Sequence, residues 1–172
     1  MLQARSENRI RSMLERLTPS LTFLTTLGCA LAAGVFFAFS TFVMRALGKL
    51  PPPQGIAAMQ SINVYAVNAL FMTQLFGTAV LCIVLGIASL LKWESPGAGI
   101  RLAAAGIYLV GTIGVTIVFN VPRNDALAGV DAASESGASY WATYLSEWGF
   151  WNHVRTISST VATALLVWGK TF

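Results

Sequence analysis

From Leu21 to Met44 the chain carries no charged residue. Roughly 20 apolar residues are enough to cross the hydrocarbon core of a bilayer, so this stretch predicts a membrane-spanning helix. It is too long for the apolar region of a signal peptide and has no clear small-residue cleavage site, which makes it a retained span. Further apolar stretches of similar length follow, and the expected spans are 21–44, 66–91, 102–121 and 149–168. Composition points the same way: 10% of the 172 residues are charged, against about 25% in soluble domains. The expected fold is all-α: an integral membrane four-helix bundle with an N-terminal amphipathic interfacial helix and a short aromatic helix before the last span. Residues 1–20 form the arm in this reading, and 21–172 a single membrane domain.

The punctuation between spans sets the expected boundaries. In Asn8 to Leu17, Ile10, Met13, Leu14 and Leu17 share one helical face while Arg9, Arg11 and Arg16 lie elsewhere, a pattern suited to the membrane surface. Pro19 is expected to break this helix, Pro51-Pro52-Pro53 to end the first span, and Pro122 to stop the third, because proline lacks an amide donor and clashes with the preceding turn. The helix from Ile56 to Leu91 exceeds one membrane thickness, so its first turns should stand above the hydrocarbon or be kinked. Gln60, Asn63, Gln74 and Thr78 share a face of it and should point at protein, since lipid offers no hydrogen-bond partner. Small residues four apart, Gly28 with Ala32 and Ala30 with Gly34, allow close helix approach. Trp141, Tyr144, Leu145 and Trp148 recur at helical spacing before the last span.

Lys and Arg distribution orients the chain. Arg5, Arg9, Arg11, Arg16, Lys92, Arg101 and Lys170 fall on one side, against Arg45, Lys49 and Arg123 on the other. Both termini are therefore expected in the cytoplasm, in a bacterial inner membrane. The basic residues sit at the ends of apolar runs instead of forming aromatic-interleaved patches, which argues against nucleic-acid binding. Cys29 and Cys82 lie mid-span without C-x-x-C spacing or a histidine partner and read as small packed hydrophobes. They lie at similar depths, so a bridge is conceivable.

The polar residues inside the last span are the candidates for chemistry. Arg155 lies one to two turns inside it, where a charge costs about 2.5–3.5 kcal/mol if central and less if it snorkels. Asn152, Thr156, Ser159 and Thr163 form a polar stripe, with Arg155 about 60° from Asn152 and His153 about 200° from Arg155 around the helix. The two basic residues share a pocket only if it wraps the helix end. His153 is the single histidine and reads either as a structural or solvated interfacial residue or as a general base. No metal site is expected, because one histidine without thiolates or carboxylates at ligand spacing cannot build a first coordination sphere. Asn120 and Asn124 flank Pro122 and read either as helix-end caps or as amides pointing into a pocket. Together with Asn63, Ser40, Thr41, Trp148 and Trp151, these residues converge on the outer bundle end.

Four stretches in this order resemble a family of small four-span membrane proteins named for the fungal anthrone oxygenases. They are Gly34-Val35-Phe36-Phe37-Ala38-Phe39-Ser40, Ala58-Met59-Gln60-Ser61-Ile62-Asn63, Asn120-Val121-Pro122-Arg123-Asn124 and Trp151-Asn152-His153-Val154-Arg155-Thr156. The resemblance covers most of the chain from about Leu21. It implies oxidation of a flat, lipid-soluble anthrone or phenol by dioxygen without cofactor, with His153 as base, Arg155 as holder of the phenolate, and Asn120, Asn124, Asn152, Thr156, Asn63, Trp151 and Trp148 around the substrate. A competing reading is a non-enzymatic membrane protein that binds a lipid or quinone-like ligand or serves as an accessory subunit of a complex. The partners expected are membrane lipid and a hydrophobic aromatic small molecule, with homo-oligomers and membrane complexes left open. A transporter fits less well, since four short spans offer no paired broken helices.

Overall fold

The computed structural model describes residues 2–169, with side chains described for Met13 and from residue 16 onward. All regular structure among the described residues is helical. Helix α1 runs over Leu2–Ala38, widens into π-helical turns at Phe39–Val43 and closes at Met44–Leu47. Helix α2 is Pro52–Ala66 and α3 is Ala69–Leu91. Helix α4 begins as Ala98–Tyr108, passes through π-helical stretches Leu109–Gly114 and Thr116–Asn120, and ends as Val121–Ala128. Helix α5 is Glu135–Trp168.

Three proline and boundary expectations are corrected. Helix α1 continues through Pro19. A membrane helix tolerates one missing amide where adjoining turns and hydroxyl side chains take up the freed groups, and Thr22, Thr25 and Thr26 bond carbonyls one turn back just beyond it. Of the expected amphipathic face, Ile10 and Leu14 lie outside the described side chains, while Met13 and Leu17 are exposed. Pro122 does not stop α4 either. The π-helical turns before it shift the bonding pattern to longer reach, Pro122 sits in the first turn of the closing segment, and Arg123 Nη1 donates to the Phe119 carbonyl at 2.8 Å. The aromatic segment before the last span is no separate helix, because α5 is continuous from Glu135. The long second helix breaks at Val67, where Asn68 caps α3 by accepting from the Phe71 amide at 3.0 Å.

Helices α1, α3, α4 and α5 form the bundle, each packed against its neighbours in the ring. Contacts step in opposite order along α4 and α5, with Thr112 against Ser159, Thr116 against Arg155 and Asn120 against Trp148, so the two are antiparallel. The end carrying the 48–51 and 129–134 connections is called upper here. At the lower end Gly97, at φ +72°, closes the α3–α4 turn against the carbonyl of Gly169.

Among the described residues, three helical segments are long and apolar enough to cross a membrane: Arg16–Leu47, Ala69–Leu91 and Ala98–Ala128. They expose Phe23, Leu27, Leu31, Val80, Ile83, Ile87, Val110 and Ile117, a girdle that water would not tolerate but lipid does. Helix α5 turns its polar residues inward, with Asn152, Arg155 and Ser159 buried, and leaves Phe150, Ile157, Val161 and Val167 outside. The core divides in two. Cys29, Ala32, Phe36, Leu75, Cys82, Leu85, Tyr108 and Leu166 anchor the lower cluster. Met44, Leu47, Ile56, Met59, Leu127, Trp141, Tyr144 and Trp148 form the upper one. Cys29 and Cys82 are buried free thiols.

Candidate functional site

Between the two apolar clusters lies a buried polar layer centred on Arg155, which is 5% exposed. Its position follows from the α5 stripe: Trp148, Asn152, Arg155 and Ser159 succeed one another three or four residues apart and so share a face. Arg155 Nη2 donates to Asn152 Oδ1 at 2.8 Å, and Nη1 donates weakly to Thr116 Oγ1 at 3.4 Å. The guanidinium carbon lies 4.3 Å from the Phe36 ring centroid and 5.0 Å from that of Trp148. Aromatic faces carry negative potential and hold a cation without neutralising it. No carboxylate pairs with Arg155 among the described residues, where an ion pair joins Arg123 to Glu147 at 2.7 Å.

Asn152 ties this cation to α1. Its Nδ2 donates to the Phe36 carbonyl at 2.8 Å and to Ser40 Oγ at 2.7 Å, and Ser40 Oγ in turn lies 2.8 Å from Thr156 Oγ1. Ser40 belongs to the π-helical turns of α1, and Thr112, Thr116 and Asn120 to those of α4. Widened turns of this kind recur at functional sites, and here they border Arg155 from two helices.

Above Arg155 stands an aromatic column. Trp141, Tyr144 and Trp148 stack with centroids 5.6 and 5.9 Å apart. Burial pushes the Tyr144 phenol up, so it stays protonated and donates to Asn124 Oδ1 at 2.8 Å. Asn63 lies beside the same hydroxyl. Asn120 Nδ2 donates to the Trp148 carbonyl at 3.2 Å. Five buried side-chain atoms have no protein partner among the described residues, and four of them surround this column: Asn63 Nδ2, Asn120 Oδ1, Trp148 Nε1 and Arg155 Nε. Buried polar groups are nearly always satisfied. Three donors and one acceptor left over in one layer, beside an unpaired cation, form an arrangement able to receive an oxygen-bearing anion or its neutral acid.

The structure thus joins Arg155, Asn152, Thr156, Asn120, Asn124, Asn63 and Trp148 into one connected region. It does not bring His153 there. His153 is exposed on the other side of α5 and lines a groove of about 380 Å³ with Phe39, Ser40, Met44, Arg45, Gly48, Lys49, Leu145 and Gly149. Trp151 also turns away, stacking on Phe119 at 3.5 Å and meeting Phe150 edge-on. Thr41 bonds its own helix at the Phe37 carbonyl. Thr112 and Thr116 are functional-layer residues that the polar stripe of α5 does not point to. Their spacing with Asn120, four residues apart each time on an apolar helix, was the available signal. Phe36 as the platform under the guanidinium had none.

Among the described residues no group of three or more His, Cys, Asp and Glu side chains is placed to hold a metal ion. The family model described as anthrone oxygenase matches residues 63–165, which is more than half of the chain and includes α3, α4 and most of α5. No curated protein and no solved structure matches it.

Proposed function

The chain belongs to the anthrone oxygenase family, and on that premise we propose that it oxidises a flat, lipid-soluble anthrone or phenol with dioxygen at the Arg155 layer. The observation that carries this reading is the buried, carboxylate-free guanidinium flanked by Phe36 and Trp148 and surrounded by unsatisfied polar atoms. An anthrone has an acidic CH₂ beside a conjugated carbonyl. Losing one proton to solvent gives a phenolate whose charge rests mainly on oxygen, the form that a preorganised cation favours. Arg155 Nε and Trp148 Nε1 are the donors for that oxygen, and Asn120 and Asn63 orient the remaining oxygen substituents. The electron-rich carbanion form passes one electron to dioxygen, and the resulting superoxide and carbon radical combine into a peroxide. Protonation of the peroxide, loss of the second C–H proton and O–O cleavage then yield the quinone carbonyl and one molecule of water. The chain contributes binding, orientation and stabilisation of negative charge, and dioxygen is the oxidant.

His153 is left out of this mechanism. It is exposed and lines a groove that Arg155 does not line, whereas a general base must lie within hydrogen-bond reach of its proton. The substrate arrives from the bilayer, the chain sits in a bacterial inner membrane with α5 as the fourth span, and both termini face the cytoplasm. Oxygen uptake by the protein purified in mild detergent with a model anthrone tests this reading. Arg155→Met should lower uptake by roughly 10²-fold or more at unchanged helical content, while His153→Ala should leave it intact. Uptake no faster than spontaneous oxidation, or full activity in Arg155→Met, would remove the oxygenase assignment.

A further inference from the structure

The groove that holds His153 borders the Arg155 layer at Ser40 and has its own chemistry. Its rim carries Arg45 and Lys49 from the end of α1 and His153 from α5, its floor is Phe39, Met44 and Leu145, and no acidic residue lines it. Arg45, Lys49 and His153 are exposed, and none of their side chains has a hydrogen-bond or ion-pair partner among the described residues. Gly48 and Gly149 keep the floor low, and a Cβ built at Gly149 would meet nothing within 4 Å. The groove lies at the upper end of the apolar segment Arg16–Leu47. The exposed rings of Phe42 and Phe150, next in sequence to lining residues or close to them, continue into the apolar girdle. Two fixed positive charges and an imidazole N–H thus sit directly above a lipid-facing surface.

We infer that this groove between the α1 end and α5 binds the phosphate headgroup of an anionic membrane lipid, with its acyl chains running down the Phe42 and Phe150 side. Arg45 and Lys49 supply charge complementarity to a single phosphate diester, and His153 donates one ring N–H. Basic residues near an anionic bilayer surface each strengthen attachment. The apolar floor accepts the glycerol backbone. Ser40 lines the groove and also accepts from Asn152, so an occupied groove adjoins the α1 turn that helps hold Arg155 in place. The inference stands whether or not the Arg155 layer performs oxidation.

Native mass spectrometry of the full chain in mild detergent, titrated with phosphatidylglycerol or phosphatidylcholine of matched acyl chains, tests it. Wild type should retain phosphatidylglycerol selectively. Arg45→Gln with Lys49→Gln should weaken that binding by roughly tenfold or more, whereas Arg16→Gln with Lys92→Gln, an equal loss of charge at the lower end, should not. Gly149→Leu fills the groove without altering charge and should lose the lipid as well, with helical content checking that each variant folds. Equal binding of the two lipids by wild type would overturn the inference. So would an equal loss in the lower-end variant, retention in Gly149→Leu, or displacement by millimolar inorganic phosphate, which would make the ligand a free anion.

Discussion

A guanidinium held at 5% exposure needs acceptors from its own bundle, and Asn152 Oδ1 is the strongest one that Arg155 has. The same side chain spends both Nδ2 hydrogens on α1, at the Phe36 carbonyl and Ser40, so one residue satisfies the cation and fastens two helices. Its loss leaves charge-bearing N–H groups and a backbone carbonyl short of partners in a dry setting, at about 2–3 kcal/mol. Asn152→Ala should therefore lower the unfolding free energy in detergent by that amount, whereas Thr160→Ala, at an exposed hydroxyl bonded only within its own helix, should change it little. Equal effects in denaturant titrations would show that the layer is not a structural knot. Arg155 and Asn152 were both visible in the sequence as polar residues on one stripe of an apolar helix. Which of their atoms pair, and which remain unpaired, depends on sub-ångström placement that no residue spacing encodes.

Helix α1 shows how similar local patterns diverge once neighbours are present. Gly28 with Ala32 and Ala30 with Gly34 have the same four-residue spacing, yet Gly28 and Ala32 are buried while Ala30 and Gly34 are exposed. A Cβ on Gly28 would collide with the Thr78 hydroxyl of α3, and its carbonyl accepts from Gln74 at 2.8 Å. One on Gly34 would meet nothing within 4 Å. Gly28→Val should consequently cost about 1–3 kcal/mol by overpacking. Gly34→Ala should be neutral or stabilise by up to about 0.5–1 kcal/mol through helix propensity. Thermal unfolding of the two variants side by side decides whether the α1–α3 seam lies where the structure puts it. For a related reason, Pro19 and Pro122 do not end their helices. The cost of a proline is local, and in α1 and α4 the helix is carried past it by turns that are held from outside.

At the scale of the whole molecule, the ring of α1, α3, α4 and α5 puts a polar layer between two apolar clusters and an apolar girdle around both. Its proposed orientation has Tyr65, 78% exposed at the end of α2, on the periplasmic side, and Trp93, 57% exposed in the α3–α4 turn, in the cytoplasm. Both native cysteines are buried, so labels introduced elsewhere read topology cleanly. A membrane-impermeant maleimide applied to intact cells should modify Tyr65→Cys at once and Trp93→Cys only after permeabilisation. The reverse pattern would invert the orientation, and labelling of both in intact cells would remove the assignment of α3, the helix between the two sites, as a span.

Charge-free length, the placement of Lys and Arg, and the polar stripe around Arg155 are properties of single segments, and the sequence was sufficient to determine a helical bundle suited to a membrane with its polar face on the last helix. Long-range order was a different matter. The continuity of helices across Pro19 and Pro122, the π-helical turns of α1 and α4, the parting of His153 from Arg155 and the unsatisfied atoms around Trp148 were decided by the tertiary structure alone. Each depends on which helix stands beside which and at what height, and in a bundle that choice is made by the packing of distant side chains, not by any local period.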